Sequence, residues 1–265
     1  MSITALANQK GGVGKTACTA GVAERLADRG RRVLVIDIDP QANLTAQLGV
    51  EVNESRLTLN DVLGQLDADT DDDGADYLGD AITHAGPGWS DLIGVVPSEL
   101  ALAHQNKAQS IGAEFRLRVA LGNLASSWDD ILIDCPPSLE LLTLNAMIAA
   151  DQVVAVTEAA ANSVDGLARM IRTLGSVKKH YNPNLGLAGV VVNKFRADRL
   201  DRAAWAEKLR SAYGELVIEP TVPEREVIAR ATSAAVPLSA LGRATPAVTD
   251  VHAALDAIAD RVVGL

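Results

Sequence analysis

Gln9-Lys10-Gly11-Gly12-Val13-Gly14-Lys15-Thr16 is the stretch that decides the fold. It follows a short apolar run at residues 2–7. It precedes residues 16–29, where Cys18, Val22 and Leu26 recur at helical spacing with alanine between them. A strand, a glycine-rich turn and a helix, in that order, make a cradle for phosphate. Glycines let the backbone turn its N–H groups inward, and the helix N-terminus behind them adds the positive end of its dipole. Lys15 and Thr16 then supply what such a cradle needs, a cation for the phosphates and a hydroxyl for Mg²⁺. The spacing departs from G-x-x-x-x-G-K-T at one place. Gln9 stands where the first glycine belongs, and an extra lysine, Lys10, precedes Gly11-Gly12.

Outward from this loop the pattern repeats. Gly30 ends the helix, with Arg29, Arg31 and Arg32 near the negative end of its dipole. Residues 33–36 are all apolar and run into Asp37; residues 131–133 are all apolar and run into Asp134. Residues 153–156 and 189–192 are two further runs of the same kind. Short all-apolar runs joined by helices predict an α/β fold, with a mostly parallel twisted sheet covered on both faces. Residues 249–263 are expected to be a helix with Val251, Leu255, Ile258 and Val262 on one side. There is no Pro/Ser/Gly-rich linker and no internal repeat, so residues 1–265 read as one domain.

The chain has 265 residues, 48% hydrophobic and 22% charged, which excludes a disordered or low-complexity class. Two cysteines, Cys18 and Cys135, cannot make a disulfide framework and suit a reducing cytoplasm. No apolar run reaches the roughly 18 residues of a membrane span, and residues 1–10 lack the pattern of a secretory leader. The net charge of −10 is unevenly spread. Residues 1–165 carry 10 Lys/Arg against 24 Asp/Glu, whereas residues 166–265 carry 14 against 10. An acidic chain with a basic C-terminal third can present a basic face to nucleic acid. An aromatic content of 3% argues against stacking on single strands. The stretch from Asp67 to Asp80 holds seven Asp. Asp69, Asp71, Asp73, Gly74 and Asp80 match the spacing of an EF-hand calcium loop, but the last position is Asp, too short to replace the bidentate Glu. A solvated acidic loop is the favoured reading there.

The eight residues from Gln9 to Thr16 resemble the deviant Walker A group of P-loop ATPases. Asp37-Ile38-Asp39-Pro40-Gln41 and Asp134-Cys135-Pro136-Pro137-Ser138 add two more motifs of that group, each after a buried strand. Together the three resemble the ParA-type partition ATPases, most clearly over residues 2–50 and 128–150. The loop starts at residue 9 with no helix-turn-helix ahead of it, which resembles the short form. Two departures stand out. Val156 occupies a position where the family usually has proline. In the segment Val222-Pro223-Glu224-Arg225-Glu226-Val227, the family's DNA-contacting arginine is Val227, with Arg225 and Arg230 nearby.

The resemblance implies a Mg²⁺-dependent ATPase that dimerises on ATP, binds nonspecific double-stranded DNA and segregates a plasmid or chromosome. A ParB-type partner would stimulate its hydrolysis. It implies nucleotide contacts from Lys10, Gly11, Gly12, Val13, Gly14, Lys15, Thr16 and Ala17, and adenine contacts from Asn193 and Pro223. Thr16, and Asp134 through water, would hold Mg²⁺. Asp39 would orient the attacking water, and Lys10 would reach the partner protomer's nucleotide. Lys194, Arg196, Arg199, Arg202, Arg225 and Arg230 are the candidate DNA contacts, and the expected location is the cytoplasm, at the nucleoid. Three other readings use the same loop. A MinD-like membrane ATPase needs a basic C-terminal helix, but residues 249–265 carry Asp250, Asp256 and Asp260 against Arg261. A redox protein like nitrogenase iron protein needs cysteines facing a dimer seam, and Cys18 reads as a small core residue. An ATPase that positions a protein cargo would look the same as one that moves DNA.

Overall fold

Strand β1 (Ser2–Ala7) lies at the centre of an eight-stranded sheet. The computed structural model describes residues 1–66, 75–108, 110–242 and 245–265. The other strands are β2 (Val33–Asp37), β3 (Thr83–His84), β4 (Ile93–Val96), β5 (Asp130–Asp134), β6 (Gln152–Glu158), β7 (Gly186–Asn193) and β8 (Val217–Ile218). Their order is β3-β4-β2-β5-β1-β6-β7-β8. Every neighbouring pair is parallel except β3–β4, an antiparallel edge.

Period-two alternation sends each strand's apolar residues to two separate cores. From β2, Leu34 and Ile36 enter one core, and Val33 and Val35 enter the other. The second core is closed by α1 (Lys15–Asp28) and α10 (Pro246–Val263), the first by helices that include α6 (Leu141–Ala149) and α7 (Ala161–His180). The remaining helices are α2 (Asn43–Gln47), α3 (Leu59–Gln65), α4 (Ala75–Ala81), α5 (Arg116–Leu121), α8 (Leu200–Tyr213) and α9 (Glu226–Ala234). Burial on both faces is why the central strands β1, β2, β5 and β6 read as nearly continuous apolar runs, and the fold class matches the sequence expectation.

Strand β4 was not anticipated. Gly94 interrupts its apolar run because the Trp128 ring occupies that space; a Cβ at residue 94 would lie 2.4 Å from the ring. The C-terminal helix starts three residues earlier than expected, at Pro246, and its apolar row Val251, Leu255, Ile258 and Val262 is buried. Its acidic side is also engaged: Asp256 and Asp260 pair with Arg25 and Arg29. Among the described residues, no helix is long and apolar enough to cross a membrane. Of the acidic stretch, Asp69, Asp71, Asp73 and Gly74 lie outside the described residues; Asp80 is exposed on α4.

Candidate functional site

The carboxyl ends of β1, β2, β5, β6 and β7 share one edge of the sheet, where open α/β folds take ligands. The glycine-rich loop leaves β1 there and feeds α1 at Lys15. Gly14 is the residue before that helix, with φ +87°, a conformation costly for any side chain. Space forbids one as well, since a Cβ would fall 2.1 Å from Asn193 Nδ2. Lys15 is buried, at 6% exposure, and Lys10 stands at the rim of the loop with its side chain 36% exposed.

Beneath the loop two carboxylates face each other in register, Asp37 at the end of β2 and Asp134 at the end of β5, both fully buried. Thr16 Oγ1 donates to Asp134 Oδ2 at 2.7 Å, and Thr19 Oγ1 donates to Oδ1 at 3.1 Å. Burial pushes the Asp134 carboxyl up to about 7, the neighbouring Asp37 charge adds to this, and Thr16, Lys15 and Thr19 oppose it. Burial likewise pushes Asp37 up to about 6, against hydrogen bonds from Thr45 and the Asp39 amide. The half-buried Thr16 hydroxyl and the buried Asp134 carboxylate, beside a second buried carboxylate, form a hard, all-oxygen donor set, which suits Mg²⁺.

The raised values give a stability prediction. An acid whose pKa is higher in the folded state than the ordinary 3.8 binds protons preferentially to the fold. Stability of the metal-free protein therefore falls as pH rises from about 4 through about 7. Asp134→Asn removes one buried charge and is expected to take away much of that fall. Chemical unfolding in EDTA across this range checks it; a variant that tracks the wild-type curve contradicts it.

Asp39 is held by its own backbone. Its N–H donates to Asp37 Oδ1 at 3.1 Å, its carbonyl accepts Ser98 Oγ at 2.7 Å, and its Oδ1 accepts the Gln41 N–H at 3.0 Å. Asp37 and Ser98 were not picked out as site residues from sequence. Asp37 lies inside the quoted Asp-Ile-Asp motif, where spacing gave it no role; the fold makes it the anchor of the Asp39 turn and, through Thr45, of α2.

The other face of the crevice is formed by the end of β7. Asn193 is buried, and its Nδ2 donates to the Val13 carbonyl at 2.7 Å. Lys194, with φ +52°, places Nζ 2.5 Å from the Gly12 carbonyl. The structure thus seats Lys194 on the phosphate loop, apart from the arginines grouped with it in the sequence reading. Arg196, Arg199, Arg202 and Arg225 come together from two distant segments. Phe195 bridges to Pro223, its N–H donates to the Val222 carbonyl at 2.9 Å, and its carbonyl accepts the Glu224 N–H at 2.9 Å. This zips Arg196 and Arg199 to Arg225. Acids are interleaved: Arg196 pairs with Asp198 at 2.9 Å, and Arg225 pairs with Asp250 at 2.9 Å. Arg202 turns back, donating to the Ala159 carbonyl at 3.2 Å, while Arg199 and Arg230 stand exposed.

Cys18 and Cys135 are fully sequestered on opposite sides of the Asp134 region, and burial pushes the Cys18 thiol up to about 12. Such thiols are inert.

Residues 1–187 match the family model described as an AAA domain. The chain is 34% identical over 238 residues to the sporulation initiation inhibitor protein Soj of Bacillus subtilis, covering 89% of each chain. It is 36% identical over 242 residues to the chromosome partitioning protein ParA of Caulobacter vibrioides, covering 88% of this chain and 84% of that one. Among solved structures, an alanine variant of Cyanothece McdA in complex with ATP superposes with a TM-score of 0.83 at 25% identity, over 100% of this chain and 97% of that one. Cobyrinic acid a,c-diamide synthase of Mycobacterium smegmatis, with bound ADP and magnesium, gives 0.78 at 26% identity, over 98% and 94%. With its phosphate loop at the carboxyl edge of a parallel sheet, this protein is a P-loop nucleoside triphosphatase by fold. Within that class the chain belongs to the ParA/Soj family of partition ATPases.

Proposed function

We propose that this ATPase is a Mg²⁺-dependent switch for DNA partition, which dimerises on ATP, holds nonspecific duplex DNA as the dimer and is reset by hydrolysis under a ParB-type partner. The observation that supports the reading is the different burial of two lysines of one loop. Lys15 is buried behind the phosphate position, whereas Lys10 stands at the rim, where a second protomer can present its own nucleotide.

The donor atoms fit the metal: Thr16 and, through water, Asp134 would hold it, and the ion would supply positive charge against the phosphates. The protein's own groups do the positioning. Backbone amides from Gly11 to Ala17 and the Lys15 ammonium hold the phosphates. Asp39 orients the attacking water from its fixed turn. Asn193 and Pro223 border the base; Asn193 also fixes the loop through Val13. Arg196, Arg199, Arg225 and Arg230 form the DNA face, while Arg202 and Lys194 are tied back to the Ala159 and Gly12 carbonyls. The two faces of a dimer would act together, at the nucleoid in the cytoplasm. The packed α10, with its acids paired to α1, favours this over a membrane-bound relative.

Light scattering tests the reading. Wild type is expected to double in mass with Mg²⁺-ATP and not with ADP. Lys10→Ala is expected to bind nucleotide as a monomer but to fail to pair. A Lys10→Ala protein that dimerises and turns over normally makes Lys10 an ordinary loop charge.

A further inference from the structure

The rim lysine is not free in this structure. Lys10 Nζ donates to Glu158 Oε2 at 3.3 Å and to Ser163 Oγ at 3.2 Å. Glu158 ends β6 and Ser163 lies in the first turn of α7, so both partners belong to the same protomer. Ser163 is fully buried and the Glu158 side chain is 17% exposed. The rest of the loop's leading edge is tied to the same unit. Asn8 Nδ2 donates to the Val156 carbonyl at 2.6 Å, and Arg169 Nε, on α7, donates to Gln9 Oε1 at 2.8 Å.

Glu158 also faces a second cation. Lys194 Nζ lies 3.8 Å from Oε1, so one carboxylate stands between two ammonium groups. Lys10 additionally sits against the N-terminal turn of α7, the positive end of its dipole. Without the carboxylate, Lys10 would face a like charge and a like-signed helix end. Lys194 would keep its Gly12 carbonyl, whereas Lys10 would keep only the Ser163 hydroxyl. The electrostatics therefore single out Lys10 as the group that leaves.

We infer that Glu158 is a positioning residue that latches Lys10 inside its own protomer, so that reaching a second protomer's nucleotide requires breaking the Glu158 and Ser163 contacts. The inference rests on the proposed role of Lys10 across the dimer. Pairing then competes with the latch, which sets the concentration at which ATP drives dimerisation. The shared carboxylate also links Lys10 to Lys194, the root of the Arg196–Arg199 loop.

The test is a double-mutant cycle of Glu158→Gln and Lys10→Ala, read by sedimentation with Mg²⁺-ATP and by ADP affinity of the monomer. Glu158→Gln is expected to lower the dimerisation midpoint about fivefold, the size of one partly buried ion pair, with ADP affinity unchanged. It is expected not to restore pairing in the Lys10→Ala background. Ser163→Ala, which deletes only a hydroxyl, is expected to shift the midpoint the same way by less. If Lys10→Ala blocks pairing while Glu158→Gln and Ser163→Ala leave or raise the midpoint, the latch is overturned and the trans role stands. If Lys10→Ala pairs like wild type, the trans role fails and the latch with it.

Discussion

Asp39→Ala is expected to bind ATP and form the ATP dimer as wild type does, while its turnover drops at least about a hundredfold. The turn that carries Asp39 is built mainly from backbone: the N–H bond to Asp37 and the carbonyl bond from Ser98 do not need the side chain. Alanine therefore removes the carboxylate and one hydrogen bond, to the Gln41 amide, and leaves the loop in place. Phosphate transfer asks the protein chiefly to place a water in line and to stabilise charge, so losing the group that orients the water acts on the chemical step. Phosphate release by the purified variant measures it. Wild-type turnover in Asp39→Ala takes this residue out of the mechanism.

Replacing Arg196, Arg199, Arg225 and Arg230 together by alanine is expected to weaken duplex binding on the order of a thousandfold, with ATP-driven pairing intact. The structure adds two considerations. The bridge between Phe195 and Pro223 makes one surface of two sequence-distant segments, which concentrates their charge. The acids Asp198 and Asp250 already pair with two of these arginines. Exposed pairs contribute little because water screens them, so exchanging a carboxylate for a DNA phosphate costs little. Counterion release then favours the exchange and makes binding fall steeply with salt. The proposed contacts are arginines to phosphates, which carry no sequence information, so unrelated sequences should bind alike. Anisotropy of labelled duplexes at two salt concentrations is the measurement; undiminished binding by the quadruple variant refutes this surface.

The glycine-rich loop, the apolar strands and both aspartate motifs were readable because each depends on local chemistry. Gly14 is required by a positive φ, and the β2 and β5 runs are apolar because both faces are covered. What could not be read depends on groups far apart in the chain. Glu158 is 148 residues from the lysine it holds, and no spacing rule connects them. Lys194 looked like one more basic residue beside Arg196 until the left-handed backbone at residue 194 swung it onto Gly12. The acids beside Arg196 and Arg225 were visible as residues, but their pairing is decided by tertiary contacts. Strand β4 was hidden by Gly94, whose reason is the ring of Trp128, contributed by a distant segment.

The proposed nucleotide switch gates DNA binding. It is tested most directly by wild-type anisotropy with a duplex of arbitrary sequence, in Mg²⁺-ATP, in Mg²⁺-ADP and without nucleotide. Tight, salt-sensitive binding with ATP alone, rising with the dimer fraction measured in the same samples, is the predicted result. Equal binding in all three conditions, or no binding in any of them while the ATP dimer forms, contradicts it.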